Sequence, residues 1–447
     1  MIVLRQNSAY GLLTVIFWRE HMENIRNRDI YTKILREEIM PATGCTEPIS
    51  IAYCAAKAHQ VLGMQPTAVT VSVSANILKN TKGVVVPNTN GLKGIKAAVA
   101  AGIVCGDADK GMQVISLVTD EQRAAVAHFL DAVNIDISCA ETDCQPYISI
   151  TLYARTSYSR VVIANHYSDI VEIMKNGESL LKRPIVAQSE DRLTDKSCLN
   201  LHDIFTYADR VDLSEIKDLL DMQREYNTAI CEEGLLHEYG VNLGKIILSE
   251  NVSDPKTLAK AYAAAGSDAR MSGCEMPVAI LCGSGNQGIT ASVPIVCYAK
   301  HYDISGERMY RAMVLTDLLT VYLQFSIGHT SAYCGAVGAG CAVGSGIAYL
   351  LGGDESAVAH TLVNTITMRS ETICDGAKPS CAAKIAASVD AGILGYQMYL
   401  YAQQSRRRGG ISAADADALI RNTGKFSSDG IVGTDQSILS LMQQDCK

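Results

Sequence analysis

Residues 335–353 read GAVGAGCAVGSGIAYLLGG, a run of small and apolar residues that contains no charged side chain. The uncharged stretch extends from residue 318 to residue 353, and a second one covers residues 277–299. Both are long enough to span a bilayer, so a membrane transporter is a distant alternative. The many glycines, the polar His329 and the lack of flanking basic clusters favour closely packed helices instead. The stretch therefore predicts a helical body whose helices approach one another through small residues.

A different pattern precedes this helical region, in the first half of the chain. Alternation of apolar and polar residues, or a run of β-branched residues, is typical of strands. Between such segments lie others with helical spacing, so we predict a small α+β module over residues 67–185 with a mostly antiparallel sheet. Its predicted elements are strands over 67–77, 147–153 and 160–165, and helices at Gly94–Cys105 and Glu121–Ala132.

The rest of the chain is predicted to be helical, with almost no strand signal after residue 200. Apolar spacing indicates helices at residues 29–40 and 49–62, and a polar linker follows the module at residues 186–200. The fold class is therefore α+β, a mainly helical body with a smaller α+β module inserted near its front. The predicted divisions are an N-terminal extension at 1–28, helices of the body at 29–66, the module at 67–185 and the helical domain at 200–447.

Composition narrows the class of protein and its partners. The chain has 447 residues, of which 48% are hydrophobic and 19% charged, enough for a large core. A net charge of −8 without a block of Lys or Arg argues against nucleic acid and anionic membranes as partners. The fifteen cysteines are odd in number and scattered, which is typical of thiols in a reducing cytosol and not of a disulfide framework. We therefore predict a cytoplasmic protein.

Some cysteines lie among Gly, Pro and polar residues, which makes them candidates for metal ligands. Cys374 and Cys381 bracket DGAKPS, a spacer that should curl as a loop and bring both sulfurs to one cluster. Cys341 follows Cys334 by seven residues, but in a helix the two would stand roughly 10 Å apart. The better set is therefore Cys334, Cys374 and Cys381, which would leave one iron of a [4Fe–4S] cluster open for Lewis-acid chemistry.

Cys45 lies in the segment TGCTEP, just before a predicted helix. With Thr46 as the N-cap and Pro48 in the first turn, the thiol would be close to the positive end of the helix dipole. That position should lower its pKa and favour a thiolate that can act as a base. A cysteine that merely fills a turn is the alternative.

A third motif, GSGNQG at residues 283–288, is a glycine-rich turn that opens a helix. Its backbone N–H groups, with Ser284, Asn286 and Gln287 as side-chain donors, suit a carboxylate. It matches neither a dinucleotide fingerprint nor a Walker loop, so nucleotide binding is disfavoured. A glycine-rich contact between helices is the structural alternative.

Four motifs together, PATGCTEP, GSGNQG, YCGAVGAG and CDGAKPSCAAKI, resemble the L-cysteine desulfidase family, which is related to the alpha part of the iron–sulfur L-serine dehydratases. The resemblance covers roughly residues 29–445. It implies a [4Fe–4S] cluster, carried onto Cys334, Cys374 and Cys381, and a catalytic cysteine that accepts a proton, carried onto Cys45. It also implies elimination of hydrogen sulfide and ammonia from L-cysteine to leave pyruvate. Thr46 and Glu47 would then orient Cys45 or the substrate ammonium group.

Several alternatives remain open at this point. An iron–sulfur L-serine dehydratase would use the same cluster, and a non-catalytic cluster protein would have no need of a carboxylate pocket. Cys446 could fold back and cap the fourth iron, and Lys378 could help to bind the carboxylate. A homodimer is expected because closed two-fold assemblies are the commonest.

Overall fold

A computed structural model describes residues 28–142, 144–185, 194–328, 333–369, 372–403 and 415–430, together with 433, 434, 437, 438, 440 and 441. The described strands are β1 Met40–Thr43, β2 Ala68–Val73, β3 Asn134–Cys139, β4 Tyr147–Ala154, β5 Ser157–Ala164, β6 Ile170–Lys175, β7 Glu178–Lys182 and β8 Pro277–Ile280. The described helices are α1 (28–38), α2 Thr46–Leu62, α3 Ala75–Thr81, α4 Gly94–Cys105, α5 Asp120–Ala132, α6 Leu201–Arg210, α7 Lys217–Leu236, α8 Leu243–Leu248, α9 Pro255–Met271, α10 Gly285–His301, α11 Gly306–Ile327, α12 Gly335–Leu350, α13 Glu355–Arg369, α14 Cys381–Leu400 and α15 Ala416–Gly430.

The glycine-rich stretch forms α12, a buried helix in the middle of the helical body. It packs against α10, α11, α13 and α14. A Cβ at Gly344 would lie 2.3 Å from the carbonyl oxygen of Gly392, and one at Gly346 would lie 1.9 Å from Thr316 Oγ1. Glycine at these positions is therefore what lets the helices approach so closely, as the sequence predicts. Among the described helices, none combines the length and the apolar character needed to cross a membrane.

The six-stranded sheet is mostly antiparallel, and it confirms the α+β class. Its strand order is β3-β2-β4-β5-β6-β7, and only the β2–β3 pair is parallel in this sheet. Helix α2 covers β4 and β5 and packs in turn on α4. The alternation of Val69, Val71 and Val73 with polar residues places the valines in the core, which the sheet shares with the helical body.

Two bounds of the predicted elements are wrong, and one short strand lies in the region predicted to have almost no strand. The strand predicted over 67–77 ends at Val73, because Ser74 takes an extended conformation at the N-cap position and α3 follows it. The helix predicted over 29–40 stops at residue 38, and Met40 begins β1. The region after residue 200 does contain a strand, β8, which pairs antiparallel with β1 in a two-stranded ribbon.

Some predictions concern residues outside the described part of the chain. They are the extension over most of 1–28, the linker segment 186–193 and the capping role of Cys446. The boundaries of the four predicted divisions also stay predictions, although the sheet lies within residues 68–182.

Candidate functional site

The β1–β8 ribbon brings the beginning of α2 to the end of α9. Thr43 lies opposite Pro277, so the end of β1 is beside the start of β8, which follows α9 closely in the chain. The chain leaves β1 through Gly44 at a φ of 70°, and a Cβ there would lie 2.2 Å from Pro87 Cγ. Glycine is therefore required where the chain turns into α2.

Cys45 is the N-cap residue of α2, and its side chain is buried. Its Sγ donates to Glu47 Oε2 at 3.1 Å and makes no hydrogen bond to the backbone N–H groups of the first turn. Burial is the largest effect that raises the pKa of Cys45; the nearby Glu47 carboxylate raises it further, while Arg270 lowers it. The predictions of a lowered pKa and of Thr46 as the N-cap are therefore wrong. Desolvation of the thiolate outweighs the helix dipole at this position.

Glu47 has its own supporting contacts. Asn80 Nδ2 donates to Glu47 Oε1 at 3.0 Å, and the Tyr167 hydroxyl also hydrogen bonds to the carboxylate. Burial, and then the Glu47 charge, raise the pKa of Tyr167 well above its usual range, so Tyr167 is a donor. Thr46 Oγ1 is buried and has no hydrogen-bond partner. Glu47 is thus held with one oxygen facing the Cys45 thiol.

Arg270, near the end of α9, is a site residue that the sequence reasoning missed. Its Nη2 donates to the carbonyl oxygen of Gly44 at 2.7 Å, and its Nη1 donates to Asn286 Oδ1 at 2.6 Å. The side chain is among the largest that are fully buried. The signal in the sequence is an arginine in AAAGSDARM, a part of α9 made mostly of small residues.

The GSGNQG motif forms a tight turn followed by α10, as predicted. Gly283 has a φ of 74°, and a Cβ there would lie 2.9 Å from the ring of Tyr167. Ser284 is the N-cap, and its Oγ accepts from the Gln287 backbone at 3.4 Å. Asn286 is joined to Arg270, and Gln287 Nε2 donates to Gln324 Oε1 at 3.0 Å. The three predicted side chains therefore lie at the start of α10, each with a partner in the protein.

The motifs that carry Cys334 and Cys374 meet through their backbones. Tyr333 and Ile373 form an antiparallel bridge, and the Cys334 amide donates to Thr372 O at 3.1 Å. The Cys334 thiol donates to the Cys374 sulfur, and this hydrogen bond is the largest effect that lowers the pKa of Cys374.

Cys381 joins this pair from the first residue of α14. Its thiol is packed against the small buried cluster of Cys45, Val84 and Met271, and Cys374 acts on it electrostatically. Cys381 is therefore close both to Cys45 and to the pair of Cys334 and Cys374.

Comparison with known proteins identifies the family. The model of the serine dehydratase alpha chain matches residues 109–440. The chain belongs to the serine dehydratase alpha chain family. It is also similar to UPF0597 proteins: one from Desulfitobacterium hafniense is 47% identical over 93% of this chain and 97% of that protein. One from Finegoldia magna is 43% identical (92% and 99%), and one from Treponema denticola is 38% identical (93% and 98%).

Membership of the serine dehydratase alpha chain family confirms the expected relation to the alpha part of the iron–sulfur serine dehydratases. It indicates a lyase-type enzyme and suggests an iron–sulfur cofactor. The matched range contains Arg270 and the three candidate ligands, while Cys45 and Glu47 precede it.

The donor set of this family member suits an iron–sulfur cluster in its chemistry. Among the described residues, no three or more His, Cys, Asp or Glu side chains converge closely enough to hold a single metal ion. A four-iron cluster binds its thiolates at separate corners, and the three cysteines interact with one another beside two cations. Lys79 Nζ donates to Cys374 O at 3.1 Å, and Lys384 also lowers the pKa of Cys374. These cations favour the thiolate form that ligation requires.

Two neighbouring residues take no part in this set. Cys341 is buried within α12, where desolvation raises its pKa to about 12. Lys378 makes an ion pair with Asp375, and Lys384 Nζ donates to the other oxygen of Asp375 at 2.6 Å.

Proposed function

We propose that this enzyme eliminates hydrogen sulfide and ammonia from L-cysteine to form pyruvate, with a [4Fe–4S] cluster on Cys334, Cys374 and Cys381. The observation that carries the proposal is the meeting of two groups from distant parts of the chain. The Cys45–Glu47 pair and the three candidate ligands lie in one region, with Cys381 packed beside Cys45. An elimination needs both a base for the Cα proton and an acid for the leaving group.

The proton path begins at the Cys45 thiol. Because burial raises the pKa of Cys45, the thiol must lose its proton to a neighbour before it can act as a base. Glu47 Oε2, 3.1 Å from the sulfur, accepts that proton. The thiolate then removes the Cα proton, the Cβ–S bond breaks, and sulfide leaves. The remaining aminoacrylate tautomerises to an imine, which water hydrolyses to pyruvate and ammonia.

The substrate carboxylate is proposed to lie at the beginning of α10. Unpaired backbone N–H groups in the first turn of a helix attract an anion, and charge that builds up beside the carboxylate during proton removal is stabilised there. The cluster, when bound, supplies a Lewis-acidic and thiophilic iron that makes the substrate sulfur a better leaving group. Ser284, Asn286 and Gln287 then shape this turn more than they bind the substrate directly, since each already has a partner.

The decisive experiment is an anaerobic purification followed by assays of L-cysteine and L-serine side by side. We expect a brown, iron-rich protein that forms sulfide and pyruvate from cysteine. Cys45→Ala should keep the iron content and the visible spectrum but lose the activity. A colourless, iron-free protein without either activity would contradict the proposal, and an active Cys45→Ala would contradict the role of the base.

L-Serine dehydration is the second candidate, because the matched family model is that of a serine dehydratase. The same base would remove the Cα proton, and hydroxide would leave Cβ in place of sulfide. Pyruvate from serine without sulfide from cysteine would decide for this reaction. A cytoplasmic homodimer stays a prediction for either reaction.

A further inference from the structure

Arg270 is a buried cation that forms no direct ion pair in the described part of the chain; burial lowers its pKa, and the nearby Cys45, Glu47 and Cys381 partly offset this. Only 2% of the residue is exposed. Its two Nη atoms donate to neutral oxygens of Gly44 and Asn286, and its Nε is buried without a hydrogen-bond partner. In the described part of the chain the guanidinium makes no ion pair with a carboxylate. A buried charge in this state costs free energy, so such groups are normally paired.

The fold makes specific room for this guanidinium. A Cβ at Gly285 would lie 2.5 Å from Arg270 Cζ and 2.6 Å from Nε, so the first residue of α10 must be glycine. The carbonyl of Gly44 holds the other side of the group, one residue before Cys45. Arg270 is therefore fixed between the base and the turn that is proposed to bind a carboxylate.

We propose that Arg270 binds the α-carboxylate of the substrate. This inference rests on the proposed function, which needs an amino acid whose Cα lies next to Cys45. A guanidinium has five N–H donors, and the two hydrogen bonds to Gly44 and Asn286 leave others for a carboxylate. The carboxylate is attached to Cα. An arginine that binds the carboxylate next to the turn before Cys45 would therefore place the Cα proton within reach of the thiolate. The enzyme would then be selective for substrates with a free α-carboxylate.

The test compares two thiols that differ in the carboxylate. 3-Mercaptopropionate carries a thiol and a carboxylate, whereas 2-mercaptoethanol carries the thiol alone. Binding is measured by thermal shift on the anaerobically purified, iron-loaded enzyme, without turnover. We expect the wild type to bind 3-mercaptopropionate more tightly, and R270Q to reduce that preference roughly 10- to 100-fold, as loss of a charge-assisted hydrogen bond does. R270K should fall between them, because an ammonium group keeps the charge and loses the planar fork.

A matched control is R308K. Arg308 also donates to backbone carbonyls, with Nε 2.9 Å from Leu350 O, but these carbonyls lie at the end of α12. R308K should leave the preference unchanged. If R270Q does not fold, R270K and N286A carry the same test, since Asn286 holds the guanidinium. An undiminished preference for 3-mercaptopropionate in these variants would overturn the inference.

The two proposals can fail separately. An enzyme that does not turn over L-cysteine, yet shows a preference for 3-mercaptopropionate that depends on Arg270, would contradict the proposed reaction and support the arginine as a carboxylate-binding residue. An enzyme that turns over L-cysteine while R270K and R270Q keep the full preference would support the proposed reaction and contradict the role of Arg270.

Discussion

The Cys45 thiol donates a hydrogen bond to the Glu47 carboxylate, with 3.1 Å between Sγ and Oε2. Glu47→Gln keeps the size of the side chain but replaces one acceptor oxygen by an NH2 donor, so it cannot accept from Cys45, Asn80 and Tyr167 as the carboxylate does and cannot take up the thiol proton. We therefore expect kcat to fall about 10²- to 10⁴-fold, the usual range for loss of an acid–base group, with unchanged iron content. Steady-state rates on the iron-loaded enzyme measure this.

The control for this prediction lies on the same helix. Cys54 is also a buried thiol of α2, but its Sγ donates to Val161 O at 3.4 Å, on the side of the sheet. Cys54→Ala should leave kcat and iron content as in the wild type. A Glu47→Gln enzyme that keeps a wild-type kcat would refute the proton path.

Asp317 predicts a pH dependence of stability that is separate from catalysis. It is buried in α11, accepts one hydrogen bond from Gln223 Nε2 at 2.9 Å, and its Oδ2 has no partner. Burial raises its pKa from 3.8 to about 7. The native state therefore holds a proton that the unfolded state has lost between these values, so stability falls as pH rises through this window and is lowest above it.

Asp317→Asn removes that buried charge. We expect it to raise the free energy of unfolding at pH 8 by up to roughly 4 kcal/mol, from 1.36 kcal/mol per pKa unit, with little change near pH 4. Denaturant unfolding at both pH values measures the difference. The exposed Asp131 is the control, and Asp131→Asn should have a small effect at either pH. An equal effect of Asp317→Asn at pH 4 and pH 8 would contradict the buried charge.

At the scale of residues, local pattern predicted the thiols but not their environment. Cys45 was found because it precedes a helix, yet burial, which only the fold defines, reverses the expected direction of its pKa. Arg270 carries no local motif, because its contacts with Gly44 and Asn286 join segments 226 and 16 residues away. An arginine beside a run of small, buried residues in α9 is the one hint that sequence provides.

At the scale of elements, the beginnings of α10 and α11 offer a matched comparison. Both helices start at a glycine, Gly285 and Gly306. A Cβ at Gly285 would meet the Arg270 guanidinium at 2.5 Å, whereas one at Gly306 would have no atom within 4 Å. Gly285→Ala should therefore displace the guanidinium and lower both kcat/KM, by tenfold or more, and stability, by about 1–3 kcal/mol as overpacking does.

Gly306→Ala is the control for this substitution. Because α11 begins in open space, it should keep activity and stability, which thermal melts and kcat/KM measure together. A fully active Gly285→Ala would mean that the contact between α10 and Arg270 is not needed.

Long elements with a regular apolar pattern were predicted well, and short elements were not. Helix α4 has the predicted bounds, because its twelve residues are enough to define the helical period of apolar positions. The strands β1 and β8 have four residues each and contain or begin with proline, so no alternation could reveal them. The error at residues 74–77 has a related cause, since Ser74 continues the alternation of β2 while it serves as the N-cap of α3.

At the scale of the whole molecule, the proposed cluster would tie together helices that are distant in the chain. Cys334 is the N-cap of α12, Cys381 is the first residue of α14, and Cys374 lies in the loop between α13 and α14. Iron binding should therefore stabilise the folded protein by mass action, because the unfolded chain does not bring these ligands together.

Removal of iron by a chelator under anaerobic conditions should lower Tm by about 5 °C or more. Cys374→Ser should lose most of the iron and show the lower Tm without a chelator, whereas Cys341→Ala, which changes a buried thiol within α12, should keep the iron. Iron content and calorimetry on the three proteins measure this. A Cys374→Ser protein with wild-type iron content would refute this ligand. If both variants lost iron equally, the metal would depend on the packing of α12 instead of on a ligand set that joins α12 to α14.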